Sequence, residues 1–185
     1  CRRWHRRRAG LVGMSVNRVY LSIGSNVDPD THVVRAIEAL TEAFGPLALS
    51  RVYRNPAVGF DGSDFLNLVV GFDTGHDPFA IAERIHAIES ANGRLRSGPK
   101  FSSRTLDIDL LTHGRSILRQ GRLVLPRDEI LRYAFVLQPL AELAGDELHP
   151  ETGASYGWHW RRFCDRWGQP QMVEVLLPLP PAGAS

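Results

Sequence analysis

The chain has 185 residues, 43% of them apolar, a size and composition that suit one globular domain with a sizeable core. No apolar run approaches the ~20 residues needed to span a bilayer. The formal net charge of +2 misleads, because Arg2, Arg3, Arg6, Arg7 and Arg8 all fall in residues 1–13; without those five, 17 of the 22 Lys and Arg remain against 20 Asp and Glu, and a mildly acidic body excludes a broad nucleic-acid footprint.

Residues 1–13 read as a disordered basic leader, 14–177 as a single domain, and 178–185, with three prolines, as a flexible tail. Val19–Ile23 alternates and ends at Gly24-Ser25-Asn26, so it is expected to be a strand running into a turn. Asp28 can cap a helix with Pro29 at its first position, and Val33, Val34, Ile37, Leu40 and Phe44 recur at helical spacing until Gly45-Pro46. Leu47–Arg54 reads as a second strand, and Asn55-Pro56 opens a loop that runs to Ser63. Phe65–Phe72 is a third strand. Asp77-Pro78 starts a second helix, with Ile81, Ile85 and Ile88 on one face and Gly93 after its end. A polar loop over 94–103 leads to a strand ending near Leu111. A hairpin is expected over Ile117–Leu125, a short apolar stretch over Phe135–Leu137, a helical turn over Pro139–Ala144, and a helix over Trp158–Trp167. Strand–helix–strand–strand–helix–strand is the ferredoxin-like split β-α-β order, hence an α+β sandwich with a mostly antiparallel sheet and helices on one face. Cys1 and Cys164 are too far apart for a disulfide framework and fit a reducing cytoplasm. No Cys/His cluster has zinc spacing.

The chemistry concentrates at Arg104-Thr-Leu-Asp-Ile-Asp. Leu106, Ile108, Leu110 and Leu111 make this a buried strand, and alternate strand residues share a face, so Asp107 and Asp109 stand side by side with Cα atoms roughly 7 Å apart. Two carboxylates that close need a compensating charge. Magnesium is held by such oxygen pairs, usually with substrate phosphates. Arg94, Arg96 and Arg104 nearby supply anion-binding groups, and the combination suggests phosphoryl chemistry. A solvated strand end, or a structural ion pair with Arg104, is the alternative. The G-x-x-x-x-G-K phosphate loop is not found.

Several short motifs, in order from Tyr20 to Phe163, resemble the 6-hydroxymethyl-7,8-dihydropterin pyrophosphokinase family. They are Tyr20–Asn26; Tyr53-Arg54-Asn55-Pro56 with Val58-Gly59; Phe65-Leu66-Asn67; and Glu89 with Gly93–Arg96 ahead of Arg104–Leu111. The resemblance implies transfer of pyrophosphate from ATP to the pterin hydroxymethyl oxygen, with release of AMP. It implies that Asp107 and Asp109 hold two magnesium ions, that Arg94 and Arg104 stabilise charge on the phosphates, and that Glu89, Arg96, Phe101, Ile108, Arg127 and Arg132 complete the ATP site. It implies that the pterin lies between Phe65 and Phe135, with Asn67, Asn55 and groups near Pro56 and Val58 reading its edge. The expected partners are these two small molecules, with no nucleic acid and no membrane, and the expected state is a cytoplasmic monomer.

Three positions depart from the family pattern. Arg127 follows Pro126 where the family usually has His, Tyr133 stands where an Arg is expected beside Arg132, and Phe101 replaces a loop Trp. These changes fall on the ATP half, so a pterin-binding paralogue with altered or no ATP turnover is the competing reading. Retention of Asp107, Asp109, Arg94 and Arg104 argues against it, since a pure binder needs no metal carboxylates. A third reading, an RNA- or membrane-associated protein using residues 1–8, is opposed by the acidic body.

Overall fold

Alternation along three long strands sorts the chain into two faces. The computed structural model describes residues 15–59, 62–93 and 105–179. Strand β1 (Asn17–Ser25) lies between β4 (Phe65–Thr74) and β5 (Asp107–His113), antiparallel to both. Val19, Leu21 and Ile23 of β1, Leu66, Leu68, Val70 and Phe72 of β4, and Ile108 and Leu110 of β5 are all buried on one face. There they meet Val33, Ile37 and Leu40 of α1 (Pro29–Phe44) and Ile81 and Ile85 of α2 (Pro78–Ala91). This is the main core.

The opposite face is mixed. Tyr20, Val69 and Leu111 are buried under α3 (Ala134–Ala144) and α4 (Tyr156–Trp167), which form a second, shorter helical layer that a one-faced arrangement does not include. Farther along, the same face carries Gly24, Phe65, Asn67, Asp107 and Asp109, where polar groups replace the apolar ones.

Several local departures have physical causes. The expected Leu47–Arg54 strand is two, β2 (Ala48–Leu49) and β3 (Val52–Asn55), because their pairing with β4 slips by one residue between them. At that bulge the Ser50 backbone N–H donates to the Val69 carbonyl at 3.0 Å, and the Ser50 hydroxyl accepts from the Val69 N–H at 2.9 Å. Asp28 takes the cap position of α1 in the left-handed region (φ 43°), and its side chain makes no capping hydrogen bond. Asp77 does cap α2, accepting from the Phe79 and Ala80 N–H groups at 2.9 and 3.0 Å, bonds that pull its carboxyl below the usual range. The hairpin is β6 (Leu118–Gln120) with β7 (Leu123–Leu125).

Phe135–Leu137 and Pro139–Ala144 join in the single helix α3 despite the internal proline. The loss of one amide donor is offset by burial of Val136, Leu137, Leu140 and Ala144 against the sheet. A further strand, β8 (Val173–Val175), adds to β3. The sheet order is β5-β1-β4-β3-β8, with β2 also on β4. Leu177 and Leu179 beyond β8 pack against the main core. Among the described residues no helix is long and apolar enough to cross a membrane.

Candidate active site

The polar end of the second face is built from strand register. Gly24 pairs with Asn67 on one side and Asp107 on the other; Ser22 pairs with Val69 and Asp109 in the next row. Tyr53 extends the first row beyond Asn67, and Asn55 pairs with Phe65. The two asparagines and the two aspartates thus share one surface, separated by the width of β1.

Asn55 and Asn67 are both buried, and Asn67 Nδ2 donates to Asn55 Oδ1 at 2.6 Å. Asn55 Nδ2 in turn donates to the Pro56 carbonyl at 3.0 Å. This chain fixes which way each amide points. A Cβ at Gly24 would lie 3.0 Å from Asn67 Oδ1 and 3.8 Å from the Phe65 ring, so glycine leaves the Asn67 carbonyl uncrowded. Val58 and Pro56 are exposed at the rim.

The turn after β1 ties both neighbouring loops down. The buried Ser25 hydroxyl donates to the Thr105 carbonyl at 2.5 Å, just before the aspartate strand, and Asn26 Nδ2 donates to the Ser63 carbonyl at 3.2 Å. Glu89 acts in the same way. It is only 2% exposed, and its Oε1 accepts from the Ile108 N–H at 2.9 Å, anchoring the end of α2 to β5 between the aspartates. Glu89 sits inside the wall of the cleft rather than on its surface. The Ile108 side chain lies in the main core, because strand alternation sends it away from Asp107 and Asp109.

Arg127 reaches Asp109. Its Nη2 is 2.9 Å from Asp109 Oδ1; its Nε is 3.3 Å from Glu129 Oε2, within ion-pair reach but off the hydrogen-bonding direction. Arg132 is exposed and lines a cavity of about 230 Å³ with Pro126, Arg127, His149 and Thr152. His149 was not foreseen. It is buried; burial, then the neighbouring His159, holds its pKa below the usual value, and its Nδ1 lies 3.3 and 3.4 Å from the donating N–H groups of Glu151 and Thr152. Phe135 is half-buried at the start of α3 and stacks on Tyr133, centroids 5.0 Å apart and planes 17° off parallel. Tyr133 therefore backs an aromatic ring at the position where a charged residue was expected. Arg94, Arg96, Phe101 and Arg104 lie outside the described residues.

Asp107 and Asp109 present hard oxygen donors on one face of β5, the chemistry magnesium takes. Among the described residues no group of three or more His, Cys, Asp or Glu side chains gathers as a metal cage. Two carboxylates, with the remaining positions left to water and substrate oxygens, suit magnesium rather than zinc.

The second face of this α+β sandwich thus carries amides and an aromatic ring on one side of β1 and paired carboxylates on the other, groups suited in kind to a flat polar ring and to an anion with its cation. Residues 20–145 match the model of the 7,8-dihydro-6-hydroxymethylpterin-pyrophosphokinase family, and the chain belongs to that family. It is 38% identical over 135 residues to the 2-amino-4-hydroxy-6-hydroxymethyldihydropteridine pyrophosphokinase of Methylorubrum extorquens, covering 71% of this chain and 85% of that protein. With the Pseudomonas aeruginosa enzyme of the same name it shares 34% over 144 residues, 74% of this chain and 86% of the other. The folic acid synthesis protein fol1 of Pneumocystis carinii is 31% identical over 80% of this chain, but the match spans only 20% of that longer protein. Wild-type HPPK-DHPS of Plasmodium falciparum superposes with a TM-score of 0.63 at 13% identity, over 84% of this chain and 47% of that one. The chain thus spans about half the length of that solved structure, which supports the fold.

Proposed function

We propose that this chain transfers the pyrophosphoryl group of ATP to the hydroxymethyl oxygen of 6-hydroxymethyl-7,8-dihydropterin, releasing AMP, in folate biosynthesis. The observation that carries the reading is the family match over residues 20–145, which spans both the asparagine pair and the aspartate pair of a single cleft face.

On this reading each half of the cleft has one task. Asn67, oriented by Asn55 and given room by Gly24, offers its carbonyl and remaining N–H to the amide-like edge of the pterin. Phe65 and Phe135 hold the ring by its faces. Asp107 and Asp109 hold two magnesium ions, which supply charge neutralisation and alignment of the triphosphate. Arg94 and Arg104 stabilise charge on the phosphates, assisted by Arg96, Phe101 and Arg132. Glu89 and Ser25 set the position of β5 and so of both carboxylates. Action as a cytoplasmic monomer belongs to the same reading. The paucity of cysteine fits a reducing compartment.

The test is magnesium-dependent formation of AMP by the wild type, Asp107→Ala and Asp109→Ala. The wild type should turn over and stop with EDTA, and both variants should be inactive while folded. Near-normal turnover in either folded variant would remove the carboxylates from the site.

A further inference from the structure

Asp109 and Arg127 are suited to opposite partners, the carboxylate to a cation and the guanidinium to an anion, yet in the structure they hold each other. The contact is built into the backbone. β5 carries a bulge: its register with β1 shifts by one residue between the Tyr20 and Leu21 pairs, leaving Leu111 as the extra residue. The Leu111 carbonyl accepts from the Arg127 N–H at 2.9 Å. That bond pins Arg127 two residues along the strand from Asp109, and its Nη2 falls 2.9 Å from Asp109 Oδ1. Glu129 lies on the other side of the guanidinium at 3.3 Å.

We propose that Arg127 is an internal counter-ion for Asp109, released when nucleotide phosphate draws the guanidinium away, so that the divalent cation enters with the nucleotide and not ahead of it. The inference rests on the pyrophosphokinase reading and deepens it. A guanidinium stays charged at every accessible pH, so only a competing anion opens the pair. A triphosphate is such an anion: it carries more charge than one carboxylate and offers paired oxygens to the guanidinium fork. Side-chain exposures of 28% for Arg127 and 32% for Asp109 leave both partners within reach of a ligand. While the pair is closed, a dication approaching Asp109 meets a fixed positive charge and a carboxylate oxygen already engaged. Nucleotide and cation are then coupled through Arg127, and the coupling acts equally in both directions.

The test is direct binding of Mn²⁺ to the full chain, followed by the paramagnetic resonance of the free ion. It is done with and without an ATP analogue carrying a methylene group between the α and β phosphates. Without nucleotide, Arg127→Ala and the bulkier Arg127→Met should bind Mn²⁺ roughly two- to fivefold more tightly than the wild type, the scale of a partly exposed ion pair. Both should bind the analogue more weakly, and the factor by which the analogue tightens Mn²⁺ should shrink. Asp109→Ala should lose the Mn²⁺ site. If Asp109→Ala loses it while both Arg127 variants bind the ion no tighter than the wild type, the exchange is wrong and the metal site stands. If Asp109→Ala binds Mn²⁺ like the wild type, the metal reading falls and the exchange with it.

Discussion

Strand β5 carries two kinds of chemistry on alternate residues. Ile108 and Leu110 are buried in the main core, and Asp107 and Asp109 stand on the cleft face. One backbone thus serves stability through one set of side chains and, on the proposed reading, binding through the other. The core half is redundant in kind, since many apolar groups share the burial. The other half is not, because each carboxylate holds a single fixed place in the strand register.

Replacing residues on each side breaks the comparison most sharply. Asp109→Ala should lower turnover by about 10²-fold or more and shift the melting temperature little. Leu110→Ala should cost about 2–5 kcal/mol of stability and leave turnover per folded molecule close to normal. Chemical denaturation run beside an AMP-release assay separates the two. If Asp109→Ala unfolded the protein as Leu110→Ala does, the two sides of β5 would not be functionally distinct.

The two halves of the cleft can be compared in the same way. Phe135→Ala should weaken pterin binding by roughly 1–3 kcal/mol, the scale of one base–aromatic stack, and leave binding of the ATP analogue unchanged. Calorimetry with each ligand separately checks this. Unchanged pterin affinity would move the ring away from Phe135, leaving its stack on Tyr133 as simple packing.

The smallest effect concerns pH. His149 is buried neutral, with Nδ1 set to accept from two backbone N–H groups, and burial keeps its pKa below the usual ~6.5. The unfolded chain therefore takes up this proton more readily than the folded one. The stability His149 contributes is complete above pH ~6.5 and is lost as pH falls through its folded pKa. His149→Gln should flatten the decline of melting temperature on the acid side. The same acid slope in the variant would assign it to other groups, His159 among them, whose pKa burial also lowers.

Local pattern made much of this legible in the sequence. The alternation of Leu106, Ile108 and Leu110 places Asp107 and Asp109 on one face, and Pro29 and Pro78 mark the starts of α1 and α2. What local pattern could not supply were effects of pairing between distant segments. The Ser50 bulge exists because β4 supplies Val69 opposite it. Val173–Val175 becomes a strand because β3 offers it an edge. The ion pair of Arg127 with Asp109 depends on an extra residue at Leu111, which no spacing rule reveals. The sequence marks Asn55 and Asn67 separately, but their mutual hydrogen bond is a property of register.

The most direct measurement follows the phosphorus atoms. Wild-type protein is mixed with ATP, magnesium and 6-hydroxymethyl-7,8-dihydropterin, and the reaction is monitored by ³¹P nuclear magnetic resonance. Transfer of an intact pyrophosphoryl group predicts loss of the ATP signals with matched growth of AMP and a pterin diphosphate, dependent on both magnesium and pterin. Formation of ADP with a pterin monophosphate, or no consumption of ATP by folded protein, would contradict the account.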